Sequence, residues 1–315
     1  MDYFYRLLTQ MEIFTVLIVI GIFAVKTKVI NEKGMVDLSG LIIRLTLPAM
    51  IFSKSVNSVS RDDITESFAE VVTASFLMFG VLYFVGYVLV RAFDLKSNYG
   101  RVFLASTTFG NVGFLGIPLI LGILPERGML YMSLFYIADQ IVLWSLGFYL
   151  TLPEEKLKNA SIKSHLSNIM SPAMIAIIIA MAFITLDWQL PATVNKAIGS
   201  VGNATTPLSL IYIGASFCFT NVWKFVSRKE YYAMIVGKMI LAPLFVHVVL
   251  TAFSVNPEIV TVITTLTAVP SMAAIAMFAR ANGSDEDCAI GAVMMTTVFC
   301  LLTLPLVAYI TANFL

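Results

Sequence analysis

The chain has 315 residues, of which 59% are hydrophobic and only 12% charged, with a mean hydropathy of +0.89. Soluble domains carry roughly 25% charged residues, so a sizeable aqueous domain is excluded and an all-α polytopic membrane protein is predicted. The net charge of +1 comes with no basic patch to hold a phosphate backbone, which excludes nucleic acid as a partner.

Apolar runs predict ten spanning segments, at about 11–26, 34–54, 67–90, 99–123, 128–151, 168–187, 196–219, 230–253, 258–280 and 286–313. Most approach the ~20 residues that a bilayer needs. Asp2, Arg6 and Glu12 precede the first run, and no small-residue cleavage site follows it. A retained first helix is expected rather than a removable signal. The longest connection, 152–167, carries Pro153, Glu154, Glu155, Lys156, Lys158 and Lys163. It divides the chain into residues 1–151 and 168–315, with five segments in each.

Charge placement predicts orientation. The odd-numbered connections hold 13 cations: Lys26, Lys28, Lys33, Arg91, Lys96, Arg101, Lys156, Lys158, Lys163, Lys224, Arg228, Lys229 and Arg280. The other side holds 5: Arg6, Lys54, Arg61, Arg127 and Lys196. Both termini are expected outside the cell membrane and the 152–167 loop in the cytoplasm. Five is odd, so the second half enters the membrane inverted relative to the first.

The second segment has Arg44 four residues before Pro48, and the seventh has Asn203 four residues before Pro207, 159 positions later. The fourth segment is interrupted by T-T-F-G-N-V-G-F-L-G-I-P (Thr107–Pro118), and the ninth by T-T-L-T-A-V-P-S-M-A-A-I (Thr264–Ile275), 157 positions later. Paired interruptions in two halves point to a transporter binding site. Gly110, Gly113 and Gly116 recur every third residue and sweep around a helix, whereas a packing seam uses fourth-residue spacing. Pro118 removes a helical hydrogen bond, and unwound backbone at membrane depth survives only beside water, protein or ligand. Packing is the competing explanation. The expected substrate-binding residues are Thr108, Asn111, Gly113, Gly116 and Pro118, with Val269, Pro270 and Ser271 opposite.

Ionisable residues inside a membrane are functional candidates. Asp139 lies near the centre of the fifth segment, on a face with Ser133 and Tyr136, and its image at 157 is about Thr296, which starts a stripe with Cys300 and Thr303. It could carry a proton or Na+, or be structural. Lys238 could pair with Asp139 or a substrate carboxylate, or snorkel. Arg44 could hold a carboxylate bidentately, or cap carbonyls near Pro48. His247 lies on the opposite face from Lys238, and His165 is in a loop, so a histidine metal site is not supported. Cys218, Cys288 and Cys300 are scattered and form neither a disulfide framework nor a metal motif.

G-N-V-G-F-L-G-I-P-L (Gly110–Leu119), L-P-A-M-I-F (Leu47–Phe52), P-L-S-L-I-Y-I-G (Pro207–Gly214) and A-V-P-S-M-A-A-I-A (Ala268–Ala276) resemble the auxin efflux carrier family over essentially the whole chain. Its bacterial members include malate or malonate permeases, and its plant members export auxin. The resemblance implies ten transmembrane helices in two inverted five-helix repeats, with broken helices 4 and 9 crossing beside an organic-anion site. It implies a scaffold of helices 1, 2, 6 and 7 and a moving transport domain of helices 3–5 and 8–10. The long cytoplasmic loop of plant carriers is missing from this chain.

The expected function is secondary active transport of small organic anions, mono- or dicarboxylates, by a rocking or elevator motion. H+ and Na+ are the candidate coupling ions, no cofactor is expected, and a homodimer stays open. An ion-coupled cation/proton exchanger and a transport-like sensor are the alternatives. An intramembrane enzyme would need paired carboxylates, a serine–histidine pair or a metal cluster. No nucleotide-binding G-x-x-x-x-G-K-[ST] occurs.

Overall fold

The computed structural model describes residues 2–59, 61–157, 172–219, 221 and 223–313. Lys158, Lys163 and His165 lie outside them. The described residues are helical throughout, apart from turns and one isolated bridge. In lipid a helix satisfies every backbone group within its own segment. Six runs are long and apolar enough to cross a membrane: Phe4–Lys26, Glu32–Asn57, Ile64–Ala92, Gly128–Thr151, Lys229–Ala252 and Glu286–Asn313.

In chain order, α1 is Asp2–Lys26, and α2 (Glu32–Leu41) continues through a π-helical turn, Ile42–Thr46, into α3 (Leu47–Ser58). α4 is Arg61–Ala92. The predicted fourth segment is divided into α5 (Ser97–Thr108), a π turn at Val112–Gly116 and α6 (Ile117–Ile123). α7 (Gly128–Val142), a π turn at Leu143–Gly147 and α8 (Phe148–Thr151) form one rod, followed by α9 (Glu154–Leu157). In the second half come α10 (Pro172–Thr185), α11 (Ala192–Asn203), α12 (Thr205–Phe219) and α13 (Trp223–Val226). α14 (Lys229–Val236), a π turn at Gly237–Leu241 and α15 (Ala242–Ala252) make another rod. The ninth segment is divided into α16 (Pro257–Ala268) and α17 (Ala273–Asn282), and α18 (Glu286–Asn313) is continuous.

Three π turns share one cause. Pro48, Pro118 and Pro243 each follow the end of a π turn by two residues. A proline ring clashes with the carbonyl four residues back, and those carbonyls belong to Arg44, Phe114 and Met239, inside the turns. The wider turn removes the clash without breaking the rod.

The halves echo one another in their helix caps. Lys28 (φ 62°) and Asp187 (φ 51°), 159 positions apart, are both left-handed. Around Lys28, Thr27, Lys28 and Val29 donate to Phe23, Val25 and Ala24; around Asp187, Leu186, Asp187 and Trp188 donate to Ala182, Ile184 and Phe183. The same three-bond cap recurs at Asp94 (φ 49°) and Ser254 (φ 56°), 160 positions apart. Left-handed caps of this kind satisfy the last helical carbonyls. Glu70 and Glu230 are also 160 apart: Glu70 accepts from the Asn256 amide (2.7 Å), and Glu230 accepts from the Tyr99 hydroxyl (2.8 Å).

Packing crosses between the halves. α1 lies along α12, and α3 packs on α10 and α11. A Cβ at Gly21 would strike the Ile211 carbonyl, and one at Gly214 the Ile18 carbonyl. Small residues let membrane helices approach backbone to backbone in this way. Elsewhere α4 packs on α5 and α7, α15 on α16, and α18 on α14 and α17.

Candidate functional site

α5 ends at Thr108 because Phe109 turns extended (φ −99°, ψ 129°). α16 ends at Ala268, where Val269 is extended (φ −67°, ψ 151°) and Pro270 carries no N–H. The two straps run antiparallel against each other. Asn111 N–H donates to the Pro270 carbonyl (2.7 Å), Met272 N–H donates to the Phe109 carbonyl (3.1 Å), and Gly110 faces Ser271. Each interruption satisfies the backbone freed by the other. Gly110 is needed here, because a Cβ would collide with the Val269 side chain.

The first break therefore lies at Phe109–Asn111, inside the expected Thr107–Pro118 stretch but ahead of Gly113, Gly116 and Pro118. Gly113 and Gly116 belong to the π turn, and Pro118 lies within the continuous helix Val112–Ile123, where the π turn accommodates its ring. The exchange of bonds makes Asn111 equivalent to Met272, and Phe109 to Pro270, an offset of 161. Pro118 and Pro270, 152 positions apart, are not register partners. The caps and the crossing give offsets of 159 to 161, which would put the image of Asp139 between Val298 and Cys300 rather than at Thr296.

Asn111 caps the segment that follows, its Oδ1 accepting from Phe114 N–H at 3.4 Å. Beside it opens a cavity of about 440 Å³. Its walls are largely apolar and aromatic: Phe114, Tyr136, Leu143, Trp144, Tyr212, Phe217, Met272, Met277 and Phe278. Polar groups come from Ser39, Asn111, Gln140, Ser216 and Thr297. No lysine, arginine, aspartate or glutamate is among the described residues that line it. Gly113, Ala273 and Ala274 also border it. At the start of Val112–Ile123 the amides of Val112, Phe114 and Leu115 are taken up by Gly110 and Asn111, so the first-turn amides left to face the cavity are those of Gly113, and of Ala273 and Ala274 in α17.

Of the expected site residues, Asn111 and Gly113 reach this cavity. Pro270 and Val269 form the facing strap. Ser271 is buried, its amide donating to Thr296 Oγ1 (2.9 Å). Thr108 folds back on the Leu104 carbonyl (2.8 Å). Gly116 packs on Leu266. Arg44 is exposed on the outside of its rod and does not line the cavity.

Asp139 is only 1% exposed. Its Oδ2 accepts from Gln140 Nε2 (3.1 Å), whose Oε1 accepts from Trp144 Nε1 (3.2 Å); its Oδ1 has no hydrogen-bond partner. Ser133 turns to α3 and bonds Ser55 (2.9 Å). Lys238 is fully buried and is not paired with Asp139. Its Nζ donates to the carbonyls of Thr107 (2.7 Å) and Phe109 (3.3 Å). His247 faces Thr264 (3.4 Å).

Gln140, Trp144 and Tyr212 escaped the sequence reading. Gln140 and Trp144 had a usable signal, a hydrogen-bonding pair at i, i+4 on the helix bearing Asp139. Tyr212 had none, since an aromatic in an apolar run usually packs against lipid or a neighbouring helix.

Apolar spanning helices with two facing breaks beside a cavity define a multi-pass membrane transport protein. The profile of the membrane transport protein family matches residues 7–308, and the chain belongs to that family, the one its motifs resemble. It is 24% identical over 205 residues to an uncharacterized transporter of Methanocaldococcus jannaschii, a match covering 64% of this chain and 66% of that protein. It is 23% identical over 306 residues to an uncharacterized transporter of Methanothermobacter thermautotrophicus, covering 92% and 94%.

Proposed function

We propose that the chain is a secondary active transporter of small organic anions, with ten spans in two inverted five-helix repeats. The carrying observation is the convergence of two half-helix N-termini and the Asn111 amide on one apolar cavity. Helix N-termini favour anions, through their free N–H groups and the dipole. Matching caps at offsets of 159 and 160 support the repeat.

The cavity has few polar groups and largely apolar walls. That favours a monocarboxylate with an apolar body over a dicarboxylate, which needs a second polar pole. Packing of α1 and α3 against α10, α11 and α12 supports a scaffold of segments 1, 2, 6 and 7, with the remaining six moving against it. The cavity extends toward Phe278, two residues before Arg280, and the charge bias assigns that side to the cytoplasm. This form then faces inward, with both termini outside the cell.

Asp139 serves in this reading as the coupling carboxylate. Its unpartnered oxygen and its bond to Gln140, a cavity residue, support the role. The test is a thermal-shift screen of the purified protein against mono- and dicarboxylates, with and without Na+ and across pH. A ligand for the folded form raises the midpoint by mass action. Hits are then tested for uptake into liposomes. Uptake of inorganic cations with no response to any carboxylate would replace this reading with the cation/proton exchanger.

A further inference from the structure

Breaking α5 leaves a definite set of backbone groups to satisfy. In a continuous helix Asn111 N–H would donate to the Thr107 carbonyl and Gly113 N–H to the Phe109 carbonyl. Asn111 N–H is diverted to Pro270 across the crossing, and Gly113 lies at the cavity. The Thr107 and Phe109 carbonyls are thereby released, at the negative end of a helix dipole and at membrane depth. Lys238 Nζ donates to both. The Phe109 carbonyl also accepts from Met272 N–H, so one oxygen joins α5, the start of α17 and Lys238. Among the described residues no carboxylate lies within ion-pair distance of this ammonium, which is fully buried. At offsets of 159 to 161 the matching position in the first half is Leu77, Met78 or Phe79, all uncharged.

We propose that Lys238 is a tethered cation for the broken end of α5. Its ammonium holds the released carbonyls where an alkali ion would otherwise be required, and so positions the Phe109–Asn111 strap that presents Asn111 and Gly113 to the cavity. The proposal rests on the crossing and not on the identity of the anion, and its test uses no substrate.

The full chain is purified in detergent and followed by hydrogen–deuterium exchange and thermal unfolding. In the native protein, replacing Na+ by K+ or choline at constant ionic strength is expected to leave the midpoint and exchange unchanged. A rise specific to Na+ or K+, with slower exchange in peptides spanning 105–116 and 268–276, would mean that an alkali ion is needed here and would overturn the proposal. This arm requires no variant to fold. Lys238→Met keeps the length and removes the charge. Exchange in those two peptides is expected to quicken roughly tenfold, the size of a lost hydrogen bond to a charged group, with little change in α1 or α12. Lys238→Ala is expected to regain native exchange with methylammonium but not with choline. Native exchange in Lys238→Met would show that the charge has no positioning role, and failure of methylammonium to act on a folded Lys238→Ala would count equally against it.

Discussion

Asn111 does two things with one side chain: it caps the π turn after the break and borders the cavity. Its counterpart Met272 offers no amide, so the polar contact is one-sided. Asn111→Ala is expected to weaken carboxylate binding by about 10–150-fold, the equivalent of a lost bond to a charged ligand. Isothermal titration with the best ligand from the thermal-shift screen measures this, and native affinity would remove Asn111 from the site. Asp139→Asn keeps size and hydrogen bonding but cannot ionise. It is expected to abolish accumulation against a gradient while leaving counterflow exchange intact. Gradient-driven uptake at the native level in liposomes would make Asp139 structural.

At the scale of elements, the crossing of α1 and α12 depends on two glycines packed against opposing carbonyls. Neither carbonyl can move aside as a side chain could. Gly214→Val is expected to cost at least the ~1–3 kcal/mol typical of overpacking, visible as a lower unfolding midpoint; an unchanged midpoint would mean that the helices do not meet there. Such contacts were hard to read from sequence, because Gly21 and Gly214 look like any other small residues in apolar runs. The six runs long enough to cross a membrane were legible, the first beginning at Phe4 rather than at about residue 11, because apolar length alone marks a membrane helix. The two breaks were legible too, but their register was not. The first break is marked in the sequence by Gly110, Asn111, Gly113, Gly116 and Pro118, and the second by Pro270 alone. In the first half Pro118 is absorbed by a π turn, and the chain actually parts at Phe109–Asn111, where no proline stands. Of the site, Asn111 and Gly113 were found through their breaker chemistry. The aromatic walls were not, since Trp144 and Phe278 come together only when the π turn after α7 meets α17, at ring centroids 4.8 Å apart.

Across the whole molecule, the alternating access proposed above would require the two groups of segments to slide or rock. Ser55 on α3 and Ser133 on α7 touch across that boundary, their hydroxyls 2.9 Å apart. A Ser55→Cys/Ser133→Cys pair, in a background lacking Cys218, Cys288 and Cys300, is expected to cross-link under mild oxidation. The bridge should stop transport of the screened anion in liposomes, and reduction should restore it. Full transport by the cross-linked protein would show that α3 and α7 move as one body.

The α1–α12 contact has a consequence for biosynthesis. During synthesis α1 is made roughly 190 residues before Ile211 and Gly214 appear, so its glycine groove waits in the membrane without its partner. The first half is thus an incomplete object, finished only when the second half docks. Two separately made pieces, cut after Leu157, are expected to be degraded when expressed singly and to reassemble into one complex when co-expressed. Co-purification of one piece with a tag on the other reads this directly, and Gly214→Val should reduce the yield of the pair.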